Sequence, residues 1–375
     1  MKECTRQALI CISVELLMPG CAMFAPVPEP VLPEGIPNGW SISVKAADLP
    51  ITSGLLDLIG DPTAEVLVLE ALEHNADLGA AALRLQASGF FLNGPRSRLL
   101  PTVNAGFSRG RNNQEIDVQT GGSATADSHR ATLGFSLDID IWGRLADQVA
   151  VFENDVQAEE WQYLHARDSL AARVVQVWIE QISQHRRPSI STDRVAVLMK
   201  AEALLFGQYE QGIGSLDDLS TARSRWELAQ ADRSEQQAVW PETIRRLEVL
   251  TGRYPRGKLA TGNRLPNVAP VPTDIPAAVL LKRPDIQAAL CKARAAGYSF
   301  RAAEKGRFPA LEVSGETLRR SVNLGKFGNA GAEWAVLNSL LQPVFAGGRI
   351  AGTAKARGKE AEARREELGA TCKGR

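Results

Sequence analysis

Two stretches of this chain match each other without a gap at an offset of 208 residues. That duplication restricts the fold more than any other feature. Asn75-Ala76-Asp77-Leu78 opens the first stretch and Arg283-Pro284-Asp285-Ile286 opens the second. Asp77 pairs with Asp285, Arg84 with Lys292, Ala87 with Ala295, Gly89 with Gly297 and Pro101 with Pro309. Each copy reads as a helix, a proline and a strand, followed by a polar, Gly-rich loop and another strand. The second strands end in Gly143-Arg144-Leu145 and Gly348-Arg349-Ile350, at an offset of 205, so the two loops nearly match in length. The chain must build one supersecondary unit twice.

The strands carry the clearest local pattern. Leu133, Phe135, Leu137, Ile139 and Ile141 alternate with Gly134, Ser136, Asp138 and Asp140. Val103, Ala105 and Phe107 alternate with Thr102, Asn104, Gly106 and Ser108, and Leu311 and Val313 with Glu312 and Ser314. Period two puts the apolar residues on one face. The best run is also about the nine to eleven residues that a tilted membrane strand needs. Strands are predicted over 102–110, 131–141, 310–319 and 334–345, the last alternating less cleanly and containing Pro343. On alternation alone, a soluble sheet with one wet face is an equal reading.

Long helices fill the remainder. Trp161, Leu164, Ala171, Val174, Trp178 and Ile182 recur at spacings near three and four. Gly212 and Gly214 break the helix, and Ser215 can cap the next one. The segment 144–250 therefore reads as a long antiparallel helical hairpin. Pro188 is predicted to kink its first arm, and Pro241 to kink or end its second. A Pro- and Gly-rich stretch, 254–276, reads as a linker between a first repeat over 61–253 and a second over 277–375.

Composition now excludes some functions. The 375 residues hold 43 basic and 43 acidic side chains, with no excess of positive charge to attract nucleic acid. Past Gly20 no apolar run is long enough for a membrane helix, which leaves a β-barrel open. No CxxC pair, zinc spacing, HExxH, GxSxG or Walker loop occurs, so neither an enzyme, a metal centre nor a cofactor is indicated. Lys2 and Arg6 precede an apolar stretch over 8–18, then Pro19-Gly20-Cys21. This reads as a signal peptide over 1–20. A Cys after a small residue is similar to the lipobox of bacterial lipoproteins, which would make Cys21 the lipidated residue heading a Pro-rich segment, 21–60. Glu15 and Pro19 depart from that box, and a plain cleaved signal or an untargeted start are the other readings.

Four strands cannot close a barrel in lipid, because an open sheet edge leaves backbone groups unpaired. If they span a membrane, several chains must combine, and three chains would supply twelve strands.

Residues 137–145, Leu-Asp-Ile-Asp-Ile-Trp-Gly-Arg-Leu, resemble a signature of TolC-type outer membrane factors in the NodT-like lipoprotein branch. So do residues 280–286, 307–311 and 342–350, and Tyr209-Glu-Gln-Gly212-Ile-Gly214-Ser215-Leu-Asp217. The motifs cover nearly the whole chain in the family's order. The resemblance implies an α+β membrane protein: long helical hairpins and four strands per chain, building a homotrimeric twelve-stranded β-barrel on an α-helical barrel. It implies a lipid-anchored outer-membrane exit duct of a tripartite efflux system, passive and not an enzyme. Its partners would be a periplasmic adaptor protein, an inner-membrane pump and the lipid bilayer. A periplasmic helical scaffold without a pore is the alternative.

By the same resemblance Tyr209, Gly212, Gly214 and Ser215 lie at an adaptor-docking tip, although a tight turn alone would also demand the glycines. Asp217 and Asp218, inside that turn, would ring a constriction or simply complement a helix dipole. Asp138 and Asp140 would face the lumen. Trp142, Gly143, Arg144, Gly348 and Arg349 would mark the barrel-to-helix transitions, with Trp142 as interface anchor or ordinary packing, and the arginines as surface ion pairs. Only residues 351–375 follow the second transition, where 145–239 follow the first. The expectation is therefore a chain lacking the family's second hairpin, with impaired channel function. Phe90-Phe91-Leu92-Asn93-Gly94-Pro95 is also expected to break the helix of the first copy.

Overall fold

The structure, a computed structural model, describes residue 56 and residues 59–117, 122–259, 262, 264–268 and 281–374. The signal peptide over 1–20, Cys21, the Pro-rich stretch up to residue 55 and part of the expected linker lie outside the described residues. The chain divides into two compact units. A sheet unit takes residues 85–161 and 282–375, and a hairpin unit takes residues 36–84 and 162–281.

In the sheet unit, β1 (Thr102–Asp117), β2 (Gly122–Ile139), β3 (Ala310–Ser321) and β4 (Ala332–Leu341) form one antiparallel sheet in chain order. Val103 pairs with Phe135, Leu137 with Val313, and Gly315 with Val336. The register therefore puts Val103, Phe107, Leu133, Phe135, Ile139, Trp334, Val336 and Leu340 on one face. All of these are exposed. The other face carries Asn104, Ser108, Arg130, Thr132, Ser136, Asp138, Glu312, Ser314, Glu316 and Arg320, together with Leu318, Leu337 and Leu341. Gly315 holds the Phe135 ring above it, and a Cβ there would run into that ring.

The strand bounds differ from expectation in two ways. The stretch between the first two predicted strands is itself mostly strand, with Arg111 paired to Asp127 and Glu115 to Ser123. The sequence there shows no sustained alternation of apolar and polar residues, so the ladder extends without a hydrophobic period to announce it. β4 stops at Leu341, before Pro343, which has no N–H to give a ladder. Next come α6 (Pro284–Lys305), which leads into β3, and α7 (Arg349–Cys372), which follows β4. These two helices pack together through small residues: Gly358 lies against the Phe300 ring, and Ala288, Ala293, Ala295 and Ala361 are buried.

In the hairpin unit, α1 (Pro62–His74) starts at Asp61, whose carboxylate accepts the N–H groups of Thr63 (2.8 Å) and Ala64 (3.4 Å). Two long helices follow, α4 (Arg144–Glu210) and α5 (Leu216–Leu250); the first turns of α4 belong to the sheet unit. Arg246–Glu180, Arg194–Asp232 and Arg223–Glu202 ion pairs join the two helices, each pair mirrored about residue 213. That mirror defines an antiparallel hairpin in register. Both helices continue past their prolines, so neither arm ends at its proline. Each proline removes one helical hydrogen bond, at a cost of about 3 kcal/mol. Packing on both sides offsets it: the Trp240 indole donates to Gln181 (3.3 Å) and meets the His185 ring edge-on. The core gathers Leu67, Val68 and Ala71 of α1 around Val174, Trp178, Ile182 and Leu247.

Glu248 closes this unit. Its carboxylate, 4% exposed, accepts the backbone N–H groups of Gly257 (2.7 Å), Lys258 (2.8 Å) and Leu259 (3.1 Å). Burial alone would raise its pKa, but those N–H groups and that of Arg256 outweigh it and hold the carboxyl below its ordinary range. The start of the linker is thereby fixed to α5. In the first copy α2 (Ala76–Phe91) ends at the Phe90–Pro95 stretch, and a short α3 (Asn93–Ser97) follows, so the expected helix break is present.

Candidate functional site

The tip of the hairpin is built by backbone demands. Gly212 sits at φ +79°, open to glycine and strained for other residues. The N–H of Gly212 reaches the Tyr209 carbonyl (2.9 Å) and the N–H of Ile213 reaches that of Gln208 (3.0 Å), closing the end of α4. Gly214 has ordinary φ, but a Cβ there would sit 2.8 Å from the Tyr209 nitrogen. Ser215 opens α5 by accepting the Asp217 N–H (3.1 Å). Asp217 and Asp218 fill the first exposed turn of that helix, where carboxylates complement its dipole. Tyr209, Ile213 and Leu216 are exposed at this tip. Ile213 and Leu216 escaped the sequence reading because a turn residue and a first-turn leucine have no periodicity to reveal them.

The wet face of the sheet places like charges together. Asp138 lies directly across from Glu312, and Arg130 from Arg320. Opposed like charges weaken a sheet, so a face that keeps both pairs is one that meets water. Asp140 does not join that face, which corrects its assignment as a strand residue. β2 ends at Ile139, and the Asp140 carboxylate accepts the Ala146 N–H (2.7 Å), capping the start of α4.

The first strand-to-helix junction gathers residues from both repeats. Gly143 stands at φ +69°, and its carbonyl accepts the Lys305 ammonium (3.1 Å). Lys305 also pairs with Asp147 at 2.7 Å, and Arg301 forks onto the same carboxylate. The side chains of Asp147 and Lys305 are 4% and 7% exposed. Trp142 stacks on Phe308 at 5.3 Å and donates its indole N–H to the Pro309 carbonyl (2.7 Å), so packing and that bond occupy it. Arg144 and Arg349 make no ion pair among the described residues, against the expected surface pairing; each instead opens a helix, α4 or α7. Sequence reasoning missed Asp147, Arg301 and Lys305, which no local pattern distinguishes from solvated helix charges.

The second junction repeats the backbone with other chemistry. Gly347 (φ +57°) and Gly348 (φ +81°) turn the chain into α7. No side chain caps that helix. Val344 and Phe345 are 93% and 90% exposed. At the repeat offset, Gly352 stands where the first junction has Asp147, and Phe345 where it has Asp140.

Comparison with known proteins gives one consistent family. A family model described as "Outer membrane efflux protein" matches residues 67–253 and 275–372. The toluene efflux pump outer membrane protein TtgF of Pseudomonas putida is 26% identical over 355 residues, covering 91% of this chain and 74% of that protein. The cation efflux system protein CusC of Escherichia coli O6:H1 is 26% identical over 356 residues, with the same coverage of 91% and 74%. Among solved structures, the outer-membrane channel OprN superposes with a TM-score of 0.75 at 22% identity, covering 91% of this chain and 79% of that one. The Campylobacter jejuni CmeC outer membrane channel gives 0.75 at 21% identity, covering 92% and 75%. The fold is thus that of these channels, and the chain belongs to the outer membrane efflux protein family.

Proposed function

We propose that this chain is one stave of an outer-membrane exit duct serving a tripartite efflux system, assembled as a homotrimer whose twelve strands close a barrel on a helical barrel. The observation that carries this reading is a four-stranded sheet with exposed apolar side chains on one face, mostly polar ones on the other apart from Leu318, Leu337 and Leu341, and β1 and β4 as its edges. Lipid suits the first face and a wet lumen the second, while edges in lipid must be paired by further copies. No helix among the described residues is long and apolar enough to cross a membrane.

The repeat indicates where the copies meet. Within the chain, the first junction seats Trp142 on the Phe308-Pro309 corner that leads into β3. The matching corner before β1 is Leu100-Pro101, with Leu99 and Leu100 exposed. The second junction, led by Val344 and Phe345, takes the equivalent corner of the next copy. The hairpin tip around Tyr209, Gly212 and Ser215 docks a periplasmic adaptor, through which an inner-membrane pump delivers cargo. Cys21 carries the lipid anchor.

Two measurements test this. Purified full-length chain in a planar bilayer is expected to give stable ion conductance. Proteinase K added to intact cells is expected to cut within residues 112–128, the outer part of the β1–β2 hairpin. A silent bilayer together with cleavage only after the outer membrane is opened would favour a pore-free periplasmic scaffold.

A further inference from the structure

The apolar face of the sheet ends in a basic rim. It runs from Ile139 to Ala131 in β2, about 27 Å along the strand at 3.4 Å per residue, with Val103 to Phe107 beside it in β1. The chemistry then changes within two residues. Arg109 and Arg111 continue this same face of β1, with His129 and Asp127 directly across in β2. Arg319 holds the same face of β3, on the rung of Ala131 and Phe107. The side chains of Arg109 and Arg111 are 65% and 72% exposed, and each stands 3.7 Å from Asp127. One loosely held carboxylate leaves most of their donors unused.

Two further features shape the rim. The Arg319 guanidinium donates to the Gly328 carbonyl (3.3 Å). That bond ties down the 3-10 turn Leu324–Asn329, whose Phe327 meets Phe107 edge-on at 5.9 Å. The turn also carries Lys326. His129, on the same face, is 4% exposed, and among the described residues its buried Nδ1 has no hydrogen-bond partner.

We propose that this rim binds the phosphate of an anionic lipid headgroup at the membrane surface farther from the unit's helices. The inference rests on the reading that the apolar face contacts lipid. Acyl chains then lie against Phe107, Leu133, Phe135 and Val336, and the headgroup of the same lipid reaches Arg109, Arg111 and Arg319. Cations just past an apolar band meet anionic headgroups at that depth. Arg130 and Arg320 stand at similar height on the opposite, wet face, where no lipid reaches.

The test uses the full chain in vesicles of equal phosphatidylcholine and phosphatidylglycerol. Flotation reports membrane insertion, and native mass spectrometry after extraction reports the lipids retained. Wild type is expected to retain the anionic lipid in preference by about tenfold, since each basic side chain near a charged surface adds to the attraction. Excess inorganic phosphate should not displace it, since the acyl contacts belong to the same ligand. The triple variant R109Q/R111Q/R319Q should lose the preference, while R130Q/R320Q and the charge-keeping R109K/R111K/R319K should retain it. Equal retention of both lipids by floated wild type would overturn the rim alone, as would loss of preference in the lysine variant or displacement by phosphate. A chain that does not float would overturn the lipid-facing reading together with it.

Discussion

At the first strand-to-helix junction, Asp147 is buried between Lys305 and Arg301, Asp140 caps the helix, and Trp142 is tucked onto Phe308. At the second, the matching positions hold Gly352, Phe345 and Gly347, and Phe345 projects almost wholly into the open. The backbone is similar, with glycine in the left-handed region at both Gly143 and Gly348. The partners have changed together. At the repeat offset, Arg301 and Lys305 correspond to Asn93 and Ser97, so the cations are missing where the carboxylate is missing. A buried ion pair suits partners tethered in one chain, because neither charge is stranded once that chain folds. Between separate chains the same device would leave a desolvated charge unpaired until assembly, at a cost of several kcal/mol. Apolar contact carries no such penalty, which accounts for Val344 and Phe345 at one junction and for Asp147 at the other.

Substitutions can break this contrast in graded ways. Asp147→Ala should be the most damaging, since it strands Lys305 in the interior and costs about 3–5 kcal/mol. Thermal unfolding in detergent should show a large drop, whereas Gly352→Asp should shift it by no more than about 0.5 kcal/mol, as exposed surface changes do. Gly143→Ala comes next. The left-handed φ alone costs about 1–2 kcal/mol, and the added Cβ would press on the Lys305 ammonium at 3.2 Å. Gly348→Ala carries the φ cost with open space around it, so the same melt should place it above Gly143→Ala. Asp140→Ala should cost about 1 kcal/mol as a lost cap, measured against wild type in the same assay. Phe345→Ala should have the smallest effect on the isolated chain, because the ring is 90% exposed, yet sedimentation should show weakened self-association.

Much of this was legible in the sequence, for identifiable reasons. Alternation from Leu133 to Ile139 located the sheet, since period two is a direct consequence of the pleat. Gly212, Gly214 and Ser215 marked the tip because backbone geometry restricts those positions to a few residue types. What stayed hidden depends on contacts distant in sequence. Asp147 and Lys305 are 158 positions apart and look like ordinary helix charges until β2 and β3 pair and draw the two helices together. Asp140 kept the alternating rhythm of the strand and was misassigned, because a cap and a wet strand face call for the same residue. The prolines at 188 and 241 do not end their helices, because packing along the whole hairpin holds the helical backbone through them.

Completion of the second junction by another copy of the chain is open to direct measurement. Cysteines introduced together as Leu100→Cys and Phe345→Cys, with Cys291 and Cys372 replaced by alanine, measure it directly by non-reducing gel after mild oxidation of membranes. The account predicts a ladder reaching a trimer in the doubly substituted chain and in neither single variant. A doubly substituted chain that stays monomeric, or cross-links no better than either single variant, would contradict it.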